Sequence, residues 1–558
     1  MKTFEFKPKL YSSLRNYSKE TFLSDLMAGI IVGIVALPLA IAFGIASGVS
    51  PEKGIITAII AGFIISFLGG SKVQIGGPTG AFIVIVYGII QHYGEQGLIV
   101  ATLMAGVLLI ALGVFKLGTI IKYIPYPIVV GFTSGIAVTI FTTQIKDLFG
   151  LSMHIVPADF ISKWIAYFQN FSTVSLWPTV IGLLSILIII YTPKISKKIP
   201  GSLVAIILLT VLAYILRTYA GITSIETIGD RFTINASLPK AEVPAMSWEV
   251  MKGLFPAAMT IAILGAIESL LSATVADGVT GDKHNSNQEL IAQGAANLIT
   301  PLFGGIPATG AIARTMTNIN NGGKSPVAGI IHAVVLFLIL ICLGPLTKHI
   351  PMACLAGVLV IVSYNMSEWR TFRSLMRYPK SDIAVLLITF FLTVIFDLTV
   401  AIEVGIVIAC LLFMRRVAET TNLSVITEEI DPNADIDIAI NEEPLKIPEG
   451  VEVYEIEGPF FFGIANKFEE QMVQLDDHPK IRIIRMRKVP FIDSTGIHNL
   501  TSLCRMSKKS NVQIILSGVN EKVHGVLEKS GFNDLLGKDN ICSHINIALA
   551  RAEEIISK

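Results

Sequence analysis

The sequence predicts a polytopic α-helical membrane protein of fourteen spans, arranged as a seven-plus-seven inverted repeat and followed by a small α/β domain. Three observations favour this fold class. Of the 558 residues, 52% are hydrophobic and 15% are charged, whereas soluble domains have roughly 25% charged residues. Uncharged apolar runs recur along the chain up to Met414. Beyond that point the composition becomes polar, and from Val451 strand and helix patterns alternate.

The apolar runs form two sets of seven. Runs of about 18 or more apolar residues are long enough to cross a bilayer. The first set lies at 25–47, 54–70, 78–91, 98–115, 125–148, 176–193 and 200–218. The second set lies at 254–276, 289–303, 308–322, 326–346, 352–365, 382–397 and 400–414. Because seven is odd, the second set must enter the membrane in the opposite orientation, so the count predicts an inverted repeat.

Basic residues indicate the orientation of the spans. They cluster at the N-terminus and in alternate joints, for example at Lys9, Lys116, Lys194, Arg370 and Arg415. The longest joints on the opposite side, 149–175 and 219–250, contain few basic residues, and we name that side the outer face. The positive-inside rule then predicts a multi-pass protein of the inner (plasma) membrane with both termini in the cytoplasm.

Two of the runs begin with nearly the same residues. "GGPTGAF" begins at Gly76 and "GIPATGAIAR" at Gly305, and each places Thr-Gly-Ala shortly after a proline. Their runs, 78–91 and 308–322, would reach about 21 and 22 Å as helices, which is less than the roughly 30 Å of the hydrocarbon core. Proline followed by a small polar residue is typical of a helix N-terminus. Each run is therefore predicted to be a half-helix that begins near mid-membrane.

These half-helix starts predict an anion site. A helix start leaves N–H groups unpaired and carries about half a positive charge. Two starts related by the repeat would point at each other, with glycines that allow backbone to approach a ligand. The alternative is two short helices, capped by Thr79 and Thr309, that bind no ligand. The predicted substrate-binding residues are Thr79, Gly80, Ala81, Phe82, Ala308, Thr309, Gly310 and Arg314.

Several of these segments resemble the sulfate permease (SulP) family of anion transporters. "GIIVGIVALPLAIAFGIASGV" and "GGPTGAFIVIV" are similar to its first and third spans, and "LGAIESLLSATVADG" to its eighth. "GIPATGAIARTMTNINNGGKSPVAGIIHA" is similar to the tenth and eleventh. The resemblance covers nearly the whole chain, and "ATGAIARTMTN" is most similar to sodium-dependent bacterial bicarbonate and sulfate members. It implies a core domain and a gate domain built on the inverted repeat, and a homodimer.

Glu268 is the only charged residue in the run 254–276, and buried acidic groups in membranes are costly and usually functional. Ser272 follows one turn later on the same helix face. The resemblance to sodium-coupled members implies that Na⁺ binds at Glu268, Ser272 and Thr309. A lone carboxylate suits H⁺ instead. The residues predicted to bind the coupling ion are Glu268, Ser272, Thr309 and Gly310.

Arg314 is the only charged residue in the run 308–322 and lies five residues after Thr309, roughly 7.5 Å along a helix. The resemblance implies that a basic residue at this position adds positive potential to the anion site. Two alternatives stay open. Arg314 would pair with Glu268 in a structural ion pair, or it would extend along the membrane to the cytoplasmic face.

The tail is predicted to be a separate domain. We divide the chain into a membrane domain at 1–420, a linker at 421–440 and a cytoplasmic domain at 441–558. "VEVYEIEG", "IRIIRMR" and "NVQIILSG" predict strands, and "GIANKFEEQM", "TGIHNLTSLCRMSKKS" and "EKVHGVLEKSG" predict helices. "FIDSTGIHNL" resembles the turn of STAS domains that carries a phosphorylated Ser or Thr. Ser494 and Thr495 are thus candidate phosphorylation sites recognised by a cytoplasmic regulator, or they belong to a plain N-cap.

The resemblance implies secondary active transport of sulfate or bicarbonate, coupled to Na⁺ or H⁺, by elevator-type movement of the core against the gate. The sequence contains no GxxxxGK[ST] motif, which argues against an ATP-driven pump and against an enzyme. We expect no cofactor other than a coupling Na⁺, and no nucleic-acid partner. Three alternatives stay open: a C4-dicarboxylate transporter, an anion channel, and a membrane sensor that signals through the STAS domain.

Overall fold

The structure is a computed structural model of the whole chain. It describes residues 7–557 except 16, 119–124, 154–155, 158, 196–199, 233–240, 242–243, 245–246, 397, 421, 427–428, 431–444 and 462–478. The chain forms two compact units, Met1–Ala409 and Cys410–Lys558. The first unit contains the apolar runs up to residue 409, and the second contains the end of the last run, 400–414, and the tail.

The helices include a segment for each predicted apolar run, and shorter helices lie in the joints between runs. Those of the first half are α1 (Lys9–Leu14), α2 (Lys19–Ala46), α3 (Pro51–Leu68), α4 (Ile83–Val114), α5 (Tyr126–Phe149), α6 (Phe160–Gln169), α7 (Leu176–Ile195), α8 (Gly201–Tyr219) and α9 (Ile228–Arg231). Those of the second half are α10 (Trp248–Thr280), α11 (Ser286–Ile299), α12 (Ile312–Asn320), α13 (Pro326–Leu343), α14 (Met352–Met366), α15 (Trp369–Leu375), α16 (Lys380–Ile395) and α17 (Leu398–Thr420). Among the described residues, eight helices are long and apolar enough to cross a membrane.

Helix α4 contains both the third and the fourth predicted run. The two parts are separated at Gly94, whose φ of 67° and ψ of −172° are not helical. A residue with a Cβ rarely adopts this conformation, so glycine allows a kink between the two helical parts without a longer loop. With this division, the fourteen predicted runs each correspond to a helical segment in the same order.

The membrane helices pack as two bundles. In one bundle, α2, α3, α4, α10, α11 and α13 contact one another, so that the first four runs pack against their counterparts in the second half. In the other bundle, α5 packs against α14 and α16, and α7 packs against α8 and α14. Fewer contacts join the bundles, mainly from α2 to α14 and α8. This division matches the core and gate domains that the family resemblance implies.

The third and tenth runs begin with extended backbone inside the core bundle. The two-residue strands β1 (Gly76–Gly77) and β2 (Thr309–Gly310) pair antiparallel. A 3₁₀ turn at Gly80–Phe82 then leads into α4, and α12 starts two residues after β2. Both half-helices therefore start beside the same strand pair, in the middle of the bundle.

The tail unit is a five-stranded sheet with helices, as its alternating pattern predicts. Its strands are β3 (Asn422–Ile426), β6 (Val451–Glu457), β7 (Ile481–Lys488), β8 (Gln513–Ser517) and β9 (Ile541–Cys542), and β4 (Glu429–Ile430) pairs separately with β5 (Leu445–Lys446). The sheet order is β3-β6-β7-β8-β9, in which β3 and β6 are antiparallel and the other neighbours are parallel. The helices are α18 (Ser494–Lys509), α19 (Glu521–Lys529), α20 (Phe532–Leu536) and α21 (Ile545–Ser557).

Two apolar clusters of the tail lie around this sheet, one containing Phe460, Leu500 and Leu516 and the other containing Ile483 and Leu549. The strand β3, which pairs along β6, lies within 421–440, the segment predicted to be a linker. The predicted helix "GIANKFEEQM" lies outside the described residues.

Candidate functional site

The strand pair brings the two repeats together at the centre of the core bundle. Gly76 is opposite Gly310, and Gly77 is opposite Thr309. The pairing continues one residue further, because the Ala311 N–H donates to the Ile75 carbonyl at 2.9 Å. The hydroxyl of Thr315 accepts a hydrogen bond from the Ile75 N–H at 3.1 Å. The similar sequences "GGPTGAF" and "GIPATGAIAR" thus place their helix starts side by side.

The first half-helix starts without a side-chain cap. Thr79 has extended backbone (φ −127°, ψ 159°), and its hydroxyl forms no capping bond with the helix. The first N–H groups of any helix lack partners within that helix. The structure therefore does not show the alternative in which Thr79 and Thr309 cap these helices, since α12 begins at Ile312 and its N-cap residue, Ala311, forms no side-chain cap.

Arg314 lies inside this site. Its side chain is 2% exposed, and Nη2 donates to the Pro78 carbonyl of the other repeat at 2.6 Å. Among the described residues, Nη1 has no hydrogen-bond partner and no carboxylate lies within ion-pair distance of the guanidinium. Arg314 therefore neither pairs with Glu268 nor extends to the membrane surface. A buried cation with an unpaired nitrogen is costly unless it meets an anion.

Two glycines allow the close approach of side chains to the strand pair. Gly77 has a φ of 152°, and a Cβ there would overlap Nη1 of Arg314. A Cβ at Gly310 would overlap the side-chain amide of Gln74, which itself donates to the carbonyl and hydroxyl oxygens of Ser269 at 3.2 and 3.0 Å. Both positions therefore require glycine for the guanidinium and the amide to reach the centre of the site.

Glu268 lies on α10, half-buried beside the first half-helix. Its Oε2 accepts a hydrogen bond from the Thr79 hydroxyl at 2.9 Å. Thr79 is the only hydrogen-bond donor to Glu268 among the described residues. A carboxylate with one donor and partial exposure inside an apolar bundle has unfilled capacity for a proton or a cation.

Two other residues predicted to bind the coupling ion, Ser272 on α10 and Thr309 on β2, have hydrogen-bond partners of their own. The hydroxyl of Ser272 donates to that of Thr315 at 3.3 Å, and the hydroxyl of Thr309 donates to the Gly265 carbonyl at 2.8 Å. Each of these hydroxyl oxygens retains a lone pair that can accept or coordinate. The two threonines of the repeated motif thus both bond to α10, Thr79 to a side chain and Thr309 to the backbone.

The remaining predicted substrate residues differ in what they offer a ligand. Gly80 lies against the gate bundle, because a Cβ there would be 2.8 Å from the Met366 sulfur and 3.3 Å from Ile140 Cδ1. Ala81 and Phe82 are buried. The backbone N–H and carbonyl of Ala308 are both hydrogen-bonded to the Asn297 side chain, at 2.9 and 2.8 Å. The backbone of Ala308 therefore supports the second half-helix start and has no free N–H.

Two further buried carboxylates were not found by sequence reasoning. Glu289 on α11 accepts hydrogen bonds from the backbone N–H groups of Gly70 and Ser71, at 2.8 and 3.1 Å, and from the Gln293 amide at 2.9 Å. Asp25 on α2 accepts hydrogen bonds from the Tyr17 hydroxyl, from the backbone N–H of Lys324, and from the backbone N–H and the hydroxyl of Ser325. Each is the first residue of a predicted apolar run, 25–47 or 289–303. The sequence pattern at that position does not distinguish a buried acid from one at the membrane surface.

In the tail, Asp493 caps α18 by accepting a hydrogen bond from the Gly496 N–H at 2.8 Å. Ser494 and Thr495 are the first two residues of that helix, with Ser494 exposed and Thr495 half-buried. The strand-to-helix turn is therefore where the sequence predicts it, and Asp493 supplies the cap.

Comparison with known proteins identifies both units. Residues 22–389 match the profile of the sulfate permease family, and residues 444–548 match that of the STAS domain. The chain is 41% identical to "Putative sulfate transporter YvdB" of Bacillus subtilis (strain 168) over 531 residues, which is 95% of this chain and 98% of that protein. It is 30% identical to "Bicarbonate transporter BicA" of a Picosynechococcus species over 495 residues, 86% of this chain and 85% of that protein.

Solved structures agree with the fold. The transmembrane domain of a cyanobacterial bicarbonate transporter, BicA, aligns with a TM-score of 0.62 and 30% identity, over 70% of this chain and 98% of that one. Murine Slc26a9, an anion transporter in its inward-facing state, aligns with a TM-score of 0.87 and 20% identity, over 98% of this chain and 94% of that one. At that identity the second likeness concerns the fold alone.

Proposed function

The chain belongs to the sulfate permease family, and on that premise we propose that it is a secondary active transporter of a small inorganic anion, sulfate or bicarbonate. Relatives with high identity carry the names of sulfate and bicarbonate transporters. Those names agree with the prediction that the chain is not an enzyme.

One observation carries the proposal. The pairing of Gly76–Gly77 with Thr309–Gly310 places two helix starts beside each other, and the buried Arg314 guanidinium reaches across to the Pro78 carbonyl. Positive potential is concentrated here in an apolar bundle. It comes from the N–H groups and dipoles of the two helix starts and from the Arg314 guanidinium, whose Nη1 has no hydrogen-bond partner among the described residues. A small anion is the ligand that this potential attracts.

The coupling ion is proposed to bind at Glu268. Within the described part of the chain its carboxylate has one donor, Thr79, and Thr79 opens the half-helix that would contact the anion. A cation or proton at Glu268 therefore changes the charge directly beside the anion, which supplies a physical route for coupling. Hydroxyl oxygens of Thr309 and Ser272 and carbonyl oxygens nearby are hard ligands of the type that Na⁺ prefers, whereas H⁺ needs the carboxylate alone.

The transport movement is proposed to be a displacement of the core bundle against the gate bundle. Both half-helices, α10 and the strand pair belong to the core, and Gly80 faces Met366 and Ile140 of the gate. Packing between the bundles is sparser than within each, which favours sliding of one against the other.

Further parts of the assignment are proposed on the family resemblance and on charge patterning. They are a homodimer, a location in the plasma membrane with both termini in the cytoplasm, and a cytoplasmic regulator that recognises the turn at Ser494 and Thr495.

Uptake by the purified full-length protein in liposomes tests the function. Radiolabelled sulfate, bicarbonate and succinate are supplied separately, with and without an inward Na⁺ gradient, and with and without a pH gradient. We expect accumulation of sulfate or bicarbonate above equilibrium, driven by one of the gradients. Gradient-independent flux that only equilibrates the anion would indicate a channel, and accumulation of succinate alone would indicate a dicarboxylate transporter.

A pair of glycine variants tests the site itself. Gly310→Leu places a side chain against Gln74 at the strand pair and should abolish uptake, as should Thr79→Pro, which removes an N–H at the half-helix start. Gly88→Leu is the matched control. Gly88 lies on the half-helix that follows Thr79, and a Cβ there meets nothing within 4 Å. Normal uptake by well-folded Gly310→Leu protein would remove the proposed site.

A further inference from the structure

A second basic site lies near the outer face, away from the half-helix starts. It is a cavity of about 170 Å³, large enough for several water molecules or a hydrated small ion. We name it the outer cavity, and its polar lining includes Tyr87, Gln144, Lys146, Asp147, Lys163 and Arg231. A wider cavity of about 360 Å³ adjoins it and shares Lys146, Asp147 and Arg231.

Lys163 on α6 is the unusual group in this cavity. The residue is only 3% exposed, and among the described residues its ammonium has no carboxylate within ion-pair distance and no hydrogen-bond acceptor. Its one close partner is the ring of Tyr87, whose centroid is 5.9 Å from Nζ. Burial lowers the pKa of Lys163, and the more distant Asp159 opposes that shift. A cation this desolvated is stabilised by an anion that enters the cavity.

Arg231 and Asp147 of the outer cavity are already paired with each other. Arg231 donates to Asp147 at 2.6 Å and forms two hydrogen bonds with Glu226, at 2.6 and 2.5 Å. These bonds fix the guanidinium between the two cavities, and the two carboxylates exceed it by one negative charge. Lys146, Lys163 and Arg231 together still exceed Asp147 and Glu226 by one positive charge, in a region that the positive-inside rule leaves poor in basic residues.

The outer cavity is aligned with the site between the half-helices. Tyr87 lies on the same half-helix as Thr79, about 12 Å further along if the helix is regular. Between them along the two facing helices lie Phe82 and Ile83 on one and Ile136 and Ile140 on the other, all almost completely buried. This apolar layer separates the cavity from the strand pair, so an anion in the outer cavity is outside the closed part of the path.

We propose that the outer cavity is a docking site for a small inorganic oxyanion on its way from outside the cell to the half-helix starts, with the Lys163 ammonium as the recognising charge. The identity of the anion rests on the proposed function, whereas the existence of an anion site at Lys163 does not. Lys146 adds potential at the entrance, and the Tyr87 ring holds the ammonium against the wall of the cavity.

Kinetics in intact bacterial cells test this assignment, because there the outer face alone meets added substrate. Initial uptake of radiolabelled sulfate and bicarbonate is measured against external concentration for the wild type, Lys163→Gln, Lys163→Arg and Lys252→Gln. Losing a charge-assisted contact should raise KM about tenfold or more in Lys163→Gln, with the maximal rate little changed. Lys163→Arg should recover most of the affinity.

The control residue Lys252 is an exposed lysine near the start of α10, outside the lining of the cavity. Lys252→Gln should leave KM unchanged. A KM for Lys163→Gln equal to that of Lys252→Gln, at matched amounts in the membrane, would overturn the docking site. So would a change confined to the maximal rate, because that result would make Lys163 part of a gate and not of a binding site.

Direct binding separates this proposal from the transport function. Full-length Arg314→Gln protein, in which the site at the half-helices is weakened, should retain saturable binding of radiolabelled sulfate or bicarbonate, and adding Lys163→Gln should abolish it. Absence of residual binding in folded Arg314→Gln protein would refute the outer site, even if Lys163→Gln protein fails to fold. If wild-type protein transports neither anion but this binding persists, the proposed function fails and the outer site stands.

Discussion

Two glutamates on consecutive helices have different surroundings. Glu289 on α11 accepts hydrogen bonds from two backbone N–H groups and a side-chain amide, and it is completely buried. Glu268 on α10 accepts one hydrogen bond, from Thr79, and is half-buried. A carboxylate whose acceptor sites are filled by protein donors stabilises the fold, whereas one with free acceptor capacity is available for a ligand. The number of donors is therefore the observation on which we assign a structural role to Glu289 and propose an ion-binding role for Glu268.

The largest expected effect is that of Glu268→Gln. The amide retains the shape and the hydrogen bond to Thr79 but removes the negative charge, so ion-driven accumulation should fall to the equilibrium level. Anion affinity should also lose its dependence on Na⁺ or pH, because coupling between two ligands is reciprocal. The measurement is substrate affinity and accumulation in liposomes at several Na⁺ concentrations and pH values. Full ion-driven accumulation by this variant would make Glu268 structural and the sodium assignment wrong.

Arg314→Gln should come next and should differ in kind. Removing a charge with a free nitrogen beside the half-helix starts should weaken anion affinity about 10- to 100-fold. The residual uptake should remain gradient-dependent, because Glu268 is intact. The same liposome measurements apply. If Arg314→Gln loses gradient dependence while keeping its anion affinity, the roles assigned to the two charges must be exchanged.

Glu289→Gln should affect stability and leave coupling unchanged. Replacing the carboxylate weakens charge-assisted hydrogen bonds from Gly70 and Ser71, at a cost of about 2–4 kcal/mol in the free energy of unfolding. The apparent melting temperature of the purified protein in detergent should fall, and the surviving folded protein should couple normally. Glu289→Gln protein of unchanged stability but abolished coupling would contradict the distinction between the two acids.

The smallest expected effect is that of Thr79→Val, which removes the one donor to Glu268 and keeps the side-chain shape. Its loss should change the affinity for the coupling ion about three- to tenfold, in the range of a single hydrogen bond. Thr309→Val is the matched control in the other repeat, because Thr309 donates to the Gly265 carbonyl and not to Glu268. Equal effects of the two substitutions on ion affinity would remove the special role of Thr79.

Features with local signals could be predicted from the sequence. Three such features depend only on a few neighbouring residues: the apolar runs, the repeated Pro and Thr-Gly-Ala motifs, and the lone charges at Glu268 and Arg314. The runs correspond to helices, the motifs to the strand pair, and the two charges to a half-buried and a buried side chain. The alternation in the tail predicted its sheet for the same reason.

Contacts between distant segments could not be predicted in this way. The backbone donors to Glu289, at Gly70 and Ser71, lie more than 200 residues away in the chain, and Thr79 is 189 residues from Glu268. The strands β1 and β2 are two residues long, too short to show alternation. Lys163 lies in a joint that composition marks as loop, so its burial depends on the packing of α6 against α5.

The hydrogen bond between Thr79 and Glu268 bears on how anion uptake depends on membrane voltage. If one carboxylate binds one monovalent cation and its neighbour half-helix binds one anion, both ions travel within the same rigid bundle. Bicarbonate with one cation would then move no net charge, whereas sulfate with one cation would carry one negative charge across. Each such charge is worth about 2.3 kcal/mol per 100 mV. An inside-negative potential would therefore oppose the uptake of sulfate and leave that of bicarbonate unaffected, so the same site would favour different anions at different potentials.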